Sequence, residues 1–325
     1  MLLAIVRMRS VKYLWLSALL FSHAVLAWCP DEDQQVTLQG KLIQQTLPGS
    51  PNYESIKDGD EAVTYDYLKL DQPFECDVNG ERENVPLVQI ILMGKNKLNY
   101  ADLAPSLGKD VILTGKTMYA QTGHHFTSVL LILYSAKNVT PITTAEQKKS
   151  ALLQFQQFQQ ALREKNVVAL KTYFVFPLQG TLFDFIDYDE NRQEDVLTET
   201  VFDQNSQQIM AHLQMLASIG VDAESLMINE YRINALSEHE QQRRYFPADE
   251  DGMFYYEEHG KRHTVKGTCD TIAQGELTDG ILFISQGTGP NTQLPGLSEY
   301  CDGATSYMFK LVDGKLRLTG SFTAG

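Results

Sequence analysis

The chain reads as an all-β unit followed by an α+β unit, and three observations carry that division. Short apolar or alternating runs, rich in β-branched and aromatic residues and bounded by Gly, Pro, Asn or Asp, fill the first part. After residue 150 the apolar spacing becomes helical before strands return. Between the two, residues 136–149 lose their apolar density and contain Pro141, as a linker entering a helix would. With 325 residues, 43% of them hydrophobic, the chain can build two packed cores. The expected layout is a signal peptide over 1–27, a first domain over 28–135, a linker over 136–149 and a second domain over 150–325.

The opening residues follow the plan of a secretory signal: basic Arg7, Arg9 and Lys12, an apolar run over 13–21, then Val25 and Ala27 ahead of a cleavage point. Cleavage there makes Trp28 the mature N-terminus. The run is shorter than the roughly 20 residues a spanning helix needs, so no stable membrane insertion is expected after cleavage. Trp28 is also too bulky to precede a lipid-modified Cys29. The product is therefore expected to be exported and soluble, in the periplasm. Removing three basic and no acidic residues takes the formal charge from −14 to −17. Such a surface repels phosphate backbones, which argues against nucleic acid as a partner.

Cys29, Cys76, Cys269 and Cys301 all lie in the mature chain, and an oxidising compartment turns an even count into disulfides. Four cysteines allow three pairings; proximity and the domain division favour Cys29 with Cys76 and Cys269 with Cys301. No Cys-x-x-Cys pair is present, which argues against a zinc site.

In the first part the expected strands are 36–43, 65–70, 85–93, 110–119 and 128–134, with a short helical piece over 100–107. Five strands with a helix between the third and fourth suggest a small closed barrel of the oligonucleotide/oligosaccharide-binding (OB) type. In the second part Leu152, Phe155, Phe158 and Leu162 recur at helix spacing, and further helices are expected over 167–174 and 205–218. Strands are then expected over 226–236, 253–257 and 280–286, with a closing hairpin, 306–312 into 315–322, that turns at Asp313 and Gly314. Helices first and a curved antiparallel sheet after them make an α+β cone.

Two stretches of the first domain are distinctive: Pro48, Gly49, Ser50, Pro51, Asn52, Tyr53, Glu54, with Gly59, Asp60 and Glu61 after them, and Thr122, Gly123, His124, His125, Phe126, Thr127. Over about residues 36–133 the chain resembles an uncharacterised family of small secreted bacterial domains that pair a Pro-Asn-Tyr-Glu loop with a Thr-Gly-His-His turn. That resemblance implies export and a barrel-like fold, without an activity. The family's turn often carries a third His and a later Pro where this chain has Phe126 and Ser128, which argues against a three-histidine site. More loosely, the second domain is similar to the nuclear-transport-factor-two-like superfamily of cones, through residues 155–163, Phe176, Pro177 and Leu178, and the final hairpin. Such folds host enzymes, ligand binders and interaction modules alike.

Tyr53, His124, His125 and Phe126 are the candidate binding residues, because rigid aromatic and imidazole side chains offer contact area at little entropic cost. The competing reading is that they lock two loops together. Asp187, Asp189, Asn191 and Asp195 match positions 1, 3, 5 and 9 of a calcium loop, yet Arg192 stands where the glycine belongs and Thr198 where the bidentate Glu belongs. A solvated acidic loop fits better, and the turn over 249–252 reads as a hairpin link. No nucleophile elbow or phosphate loop is present, and no metal ligands, cofactor or catalytic residues are assigned. The expected function is an exported binding or interaction protein whose partner is a protein or small-molecule ligand of the cell envelope, as for an inhibitor, immunity or envelope accessory factor. The rival is a hydrolase or isomerase working in the mouth of the cone, with Asp184, Asp187, Tyr231 and His263 as its nearest polar groups.

Overall fold

A computed structural model describes residues 29–78, 81–92, 103–187, 195–248, 252–266, 269–294 and 301–324. The proposed signal peptide, residues 188–194 of the acidic loop and residues 249–251 lie outside the described residues. The chain is mostly strand with some helix, and its sheets are predominantly antiparallel.

Five long strands come first: β1 (Gln35–Pro48), β2 (Ala62–Val78), β3 (Glu81–Ile91), β4 (Asp110–Tyr119) and β5 (Val129–Thr140). Their pairings return to the start. β1 pairs with β2 and β4, β2 with β3, β4 with β5, all antiparallel, and β3 with β5 in parallel. Alternate residues face one interior, where Val36, Leu42, Leu68, Val88, Leu113 and Leu131 are fully buried. Each such side chain removed from water contributes on the order of 1.5–3 kcal/mol. Two glycines of these strands permit close backbone approaches. A Cβ on Gly40 would sit 2.1 Å from the carbonyl oxygen of Lys69, and one on Gly115, at an irregularity in the β4–β5 register, 2.4 Å from that of Ile132. Within the expected helical piece, Ala104–Ser106 forms a 3-10 turn.

The stretch 136–149 is occupied by the end of β5 and the start of helix α1 (Ala145–Arg163), with residues 141–144 between them. Thr144 and Gln147 form a reciprocal capping box that satisfies two N-terminal donors of α1. Leu152, Phe155, Phe158 and Leu162, one face of the helix, are fully buried. Asn166 caps the short α2 (Val167–Lys171). After the two-residue strands β6 (Leu178–Gln179) and β7 (Val196–Leu197), helix α3 runs Glu199–Leu213. It begins six residues before the expected 205, because the Thr198 hydroxyl accepts the Val201 N–H and starts the helix there. Asn205, the expected start, is instead a non-helical kink inside it.

The remaining strands are β8 (Gly220–Asp222), β9 (Met227–Asn229), β10 (Tyr231–Ile233), β11 (Phe246–Pro247), β12 (Met253–Glu258), β13 (Lys261–Lys266), β14 (Asp270–Thr278), β15 (Ile281–Gly289), β16 (Ala304–Val312) and β17 (Lys315–Ala324). The main antiparallel sheet runs β10-β14-β15-β16-β17, and β11-β12-β13 form a separate small sheet. The expected strand over 226–236 is divided between β9 and β10, which pair with different partners. Asp313 and Gly314, both at positive φ, turn β16 into β17 with Val312 opposite Lys315.

Against the main sheet pack the helices, and the space between is filled by aromatic rings. Phe155, Phe158 and Phe309 meet within 5.6 Å of one another, and Phe174 touches Phe176, Phe185 and Phe202. This second core is continuous from Ile142 to Leu318.

β5 joins the two cores: Val139 and Thr140 pair with Val312 and Leu311 of β16. Beside that pairing, Gln39 donates to the Thr319 carbonyl at 2.7 Å and accepts from Lys310 Nζ at 2.8 Å. Ile112, Val175 and Val312 are buried together there.

Both disulfides join the expected partners, Cys29 with Cys76 and Cys269 with Cys301. No helix among the described residues is long and apolar enough to cross a membrane. Non-reducing peptide mapping is expected to recover these two pairs, and replacing either pair with alanines should cost about 2–4 kcal/mol in chemical denaturation. Gly40→Ala should destabilise the protein by about 1–3 kcal/mol, since its new methyl group meets backbone rather than a movable side chain.

Candidate binding site

The loop 48–61 leaves β1 and returns as β2, and its shape is imposed by one carboxylate. Asp60, 6% exposed, accepts the backbone N–H groups of Asn52 at 2.9 Å, Glu54 at 2.8 Å and Ser55 at 2.8 Å, together with the Asn52 side-chain amide at 3.2 Å. Those donors, the Ser55 N–H foremost, hold its carboxyl below the ordinary value of 3.8. The loop neck is closed by Gly49 N–H to the Glu61 carbonyl and Glu61 N–H to the Ser50 carbonyl. Held this way, Tyr53 adopts a positive φ of 61° and is half-buried.

The turn 122–127 is anchored by a different residue. Gln89 lies on β3, 1% exposed in an otherwise apolar stretch. Its amide oxygen accepts the Phe126 N–H at 2.8 Å and its amide nitrogen donates to the His124 carbonyl at 3.1 Å. Its backbone N–H donates to the Thr127 hydroxyl at 3.0 Å. Across β2, Tyr67 is the register partner of Gln89. Burial pushes the Tyr67 phenol up to about 12, and its hydroxyl has no hydrogen-bond partner among the described residues.

These two anchors bring the sequence-derived residues together. The Tyr53 and His124 rings lie 5.9 Å apart, His124 and His125 4.7 Å apart, and Phe126 meets Tyr65 edge-on at 5.2 Å. His124 is exposed, whereas Tyr53, His125 and Phe126 are half-buried. His125 Nδ1 accepts the Gln121 N–H at 2.9 Å. Burial, followed by the neighbouring His124, lowers its pKa below the ordinary 6.5. The neutral ring is thereby favoured, as the hydrogen bond into Nδ1 requires. Among the described residues no group of three or more His, Cys, Asp or Glu is placed to hold a metal ion.

The four polar groups of the enzyme reading are not brought together. Asp184 accepts from Ser321 and Thr323, each at 2.7 Å, and so fastens a 3-10 turn to β17. Asp187 is exposed, 3.4 Å from His212. Tyr231 packs against the second core from β10, and His263 stacks on Tyr256 in the small sheet with centroids 5.1 Å apart. A cavity of about 280 Å³ at the ends of β15, β16 and β17 is lined by Gln286, Thr305 and Thr323, with Gly and Ala between. Another, of about 160 Å³, lies at the junction of the two cores beside Gln39, Asp71 and Lys310. Neither contains Tyr53 or the histidines.

Sequence reasoning missed the two residues that build the site. Asp60 stood inside the quoted motif without a role, and Gln89 was one polar letter in an apolar strand. A Gln at a buried position of such a strand is the signal that was available.

Residues 87–137 match the model of a family described as a domain of unknown function (DUF4431). The matched stretch holds Gln89, β4 and the 122–127 turn, but not the 48–61 loop. No curated protein matches the chain, and no solved structure does.

Gln89→Leu is expected to cost about 1–3 kcal/mol by leaving the Phe126 N–H without its acceptor, whereas Tyr67→Phe should be neutral or stabilising within about 1 kcal/mol; denaturant melts of both variants check this. A depressed His125 pKa contributes stability that is complete above 6.5 and is lost as pH falls from there through the folded-state value. Melting temperature followed between pH 7.5 and about 5 should therefore drop less for His125→Asn than for the parent, because the amide oxygen keeps an acceptor that does not titrate.

Proposed function

We propose that this chain is an exported binding or interaction protein of the bacterial cell envelope that engages a protein or small-molecule partner through Tyr53, His124, His125 and Phe126. The observation that carries the reading is the meeting of two loops far apart in sequence, each held by its own buried polar anchor. Such preorganisation favours binding, because little conformational entropy is lost when a partner docks. The filled second core points the same way, since its aromatic rings occupy the interior where a cone enzyme would hold its substrate.

The finer parts of the reading belong with this proposal. Residues 1–27 act as a cleaved signal peptide, and the mature chain, beginning at Trp28, works in the periplasm with its two disulfides formed. The β1–β5 circuit is an OB-like barrel, on account of its strand pairing and the parallel β3–β5 contact. The unit after it is a cone of the nuclear-transport-factor-two-like kind. The loop and the turn mark the first unit as kin to the small secreted domains with a Pro-Asn-Tyr-Glu loop.

Affinity capture from envelope extract with the mature chain, its Tyr53→Ala variant and its His124→Ala variant tests the reading. Recovery of a saturable partner should fall at least about tenfold for both variants while His124→Ala keeps its melting temperature within about 2 °C. If both variants retain full recovery and Tyr53→Ala melts lower, the four residues only hold the loops together and the proposal fails.

A further inference from the structure

The small sheet β11-β12-β13 has one face turned to the protein and one to solvent. On the inner face Tyr245, Phe254 and Tyr256 are buried with Leu236, Leu294 and Cys301, and the Cys269–Cys301 disulfide lies beside them. The register fixes the outer face. Tyr255 stands opposite Phe246 on one side and Thr264 on the other, with Glu257 opposite Arg262 and Met253 opposite Lys266.

On that outer face the side chains form a ladder. The Arg262 guanidinium lies 3.8 Å from the Tyr255 ring centroid. Tyr255 stacks on Phe246 with centroids 5.5 Å apart and planes inclined by 30°. Beyond Phe246, Arg244 sits 5.2 Å from its ring centroid. Cation–π contacts of this kind orient a guanidinium while leaving its N–H donors free for an anion.

Arg244, Arg262 and Lys266 are exposed, and none has a carboxylate within ion-pair distance among the described residues. The neighbouring Arg243, by contrast, pairs with Glu258. On a chain of net charge −14, this face sets three cations beside two aromatic rings, with Glu257 on the same face opposite Arg262.

Among the described residues β13 pairs with β12 alone, which leaves its other edge open, and five of its six residues are exposed. An unpaired edge offers a row of backbone donors and acceptors to an incoming strand. Cationic residues along such an edge repel basic chains and attract acidic ones.

We propose that β13 and the arginine–aromatic ladder beside it form a second docking surface, which takes an extended acidic peptide segment of a partner protein as a fourth strand. The incoming backbone pairs with β13, and its Asp or Glu side chains lie against Arg262, Lys266 and Arg244. Charge complementarity selects the occupant, and the free edge selects its extended form. This surface is separate from the loops of the proposed binding site, so its occupation does not depend on Tyr53 or His124.

Fluorescence anisotropy on the mature chain with a labelled ten-residue peptide of alternating Glu and Val provides the test. The peptide should bind at least tenfold more tightly than its Lys counterpart, and more weakly as salt rises. Arg262→Ala and Arg244→Ala should each weaken binding severalfold, and the pair together tenfold or more, with the fold checked by circular dichroism. Peptides N-methylated at every second residue should separate, one frame losing affinity and the other keeping it, because only one edge of an added strand pairs with β13. Equal affinity of both frames overturns strand addition. Binding of neither peptide means the charges only blunt the edge. Binding of anionic phospholipid vesicles without the peptide replaces the proposed partner with a lipid surface. Each of these outcomes defeats the proposal.

Discussion

The pairing of β5 with strands from both halves of the molecule is the constraint on which the rest depends. Residues 129–138 of β5 pair with β4, residues 130–132 pair with β3 as well, and Val139 and Thr140 pair with β16. A single strand therefore belongs to two hydrogen-bonded systems, and its direction sets the angle at which the second sheet leaves the first. Gln39 and Lys310 reinforce the junction from the β1 side, with Asp71 a further 3.6 Å from the lysine ammonium. Only residues 141–144 separate the end of β5 from the start of α1, so the packing of the helices on the main sheet inherits the same reference direction.

What was legible in the sequence was whatever is decided locally. The Asp313–Gly314 turn, the buried face of α1 and the alternating runs of β1 and β4 each follow from residues within a few positions of one another. β13 was hidden because Lys261, Arg262, His263 and Thr264 are polar and exposed on both faces of the strand, which erases the alternation that marks a half-buried strand. The end of β5 was hidden for another reason: Ala136 to Thr140 become strand only because Leu311 and Val312, remote in sequence, complete the pairing. Tertiary context there overrides a locally polar composition.

The binding loops divide in the same way. Their residue types were visible, since a loop with Tyr53 and a turn with His124 and His125 stand out from their surroundings. Their proximity was not, because it is set by Asp60 and Gln89, whose partners are mainly backbone groups and leave no pattern in the side-chain sequence. Polar anchors of this kind are costly to leave unsatisfied inside a protein. Their complete pairing here gives the loops a single arrangement where apolar contacts alone would allow several.

The separation of anchoring from presentation has a consequence for how such a surface changes over generations. Asp60 and Gln89 grip main-chain atoms, which every amino acid supplies, while the tips of the loops carry the chemistry. Replacing an outward side chain such as His124 leaves the grip intact. The same frame can therefore be retuned toward a new partner one substitution at a time, without passing through unstable intermediates.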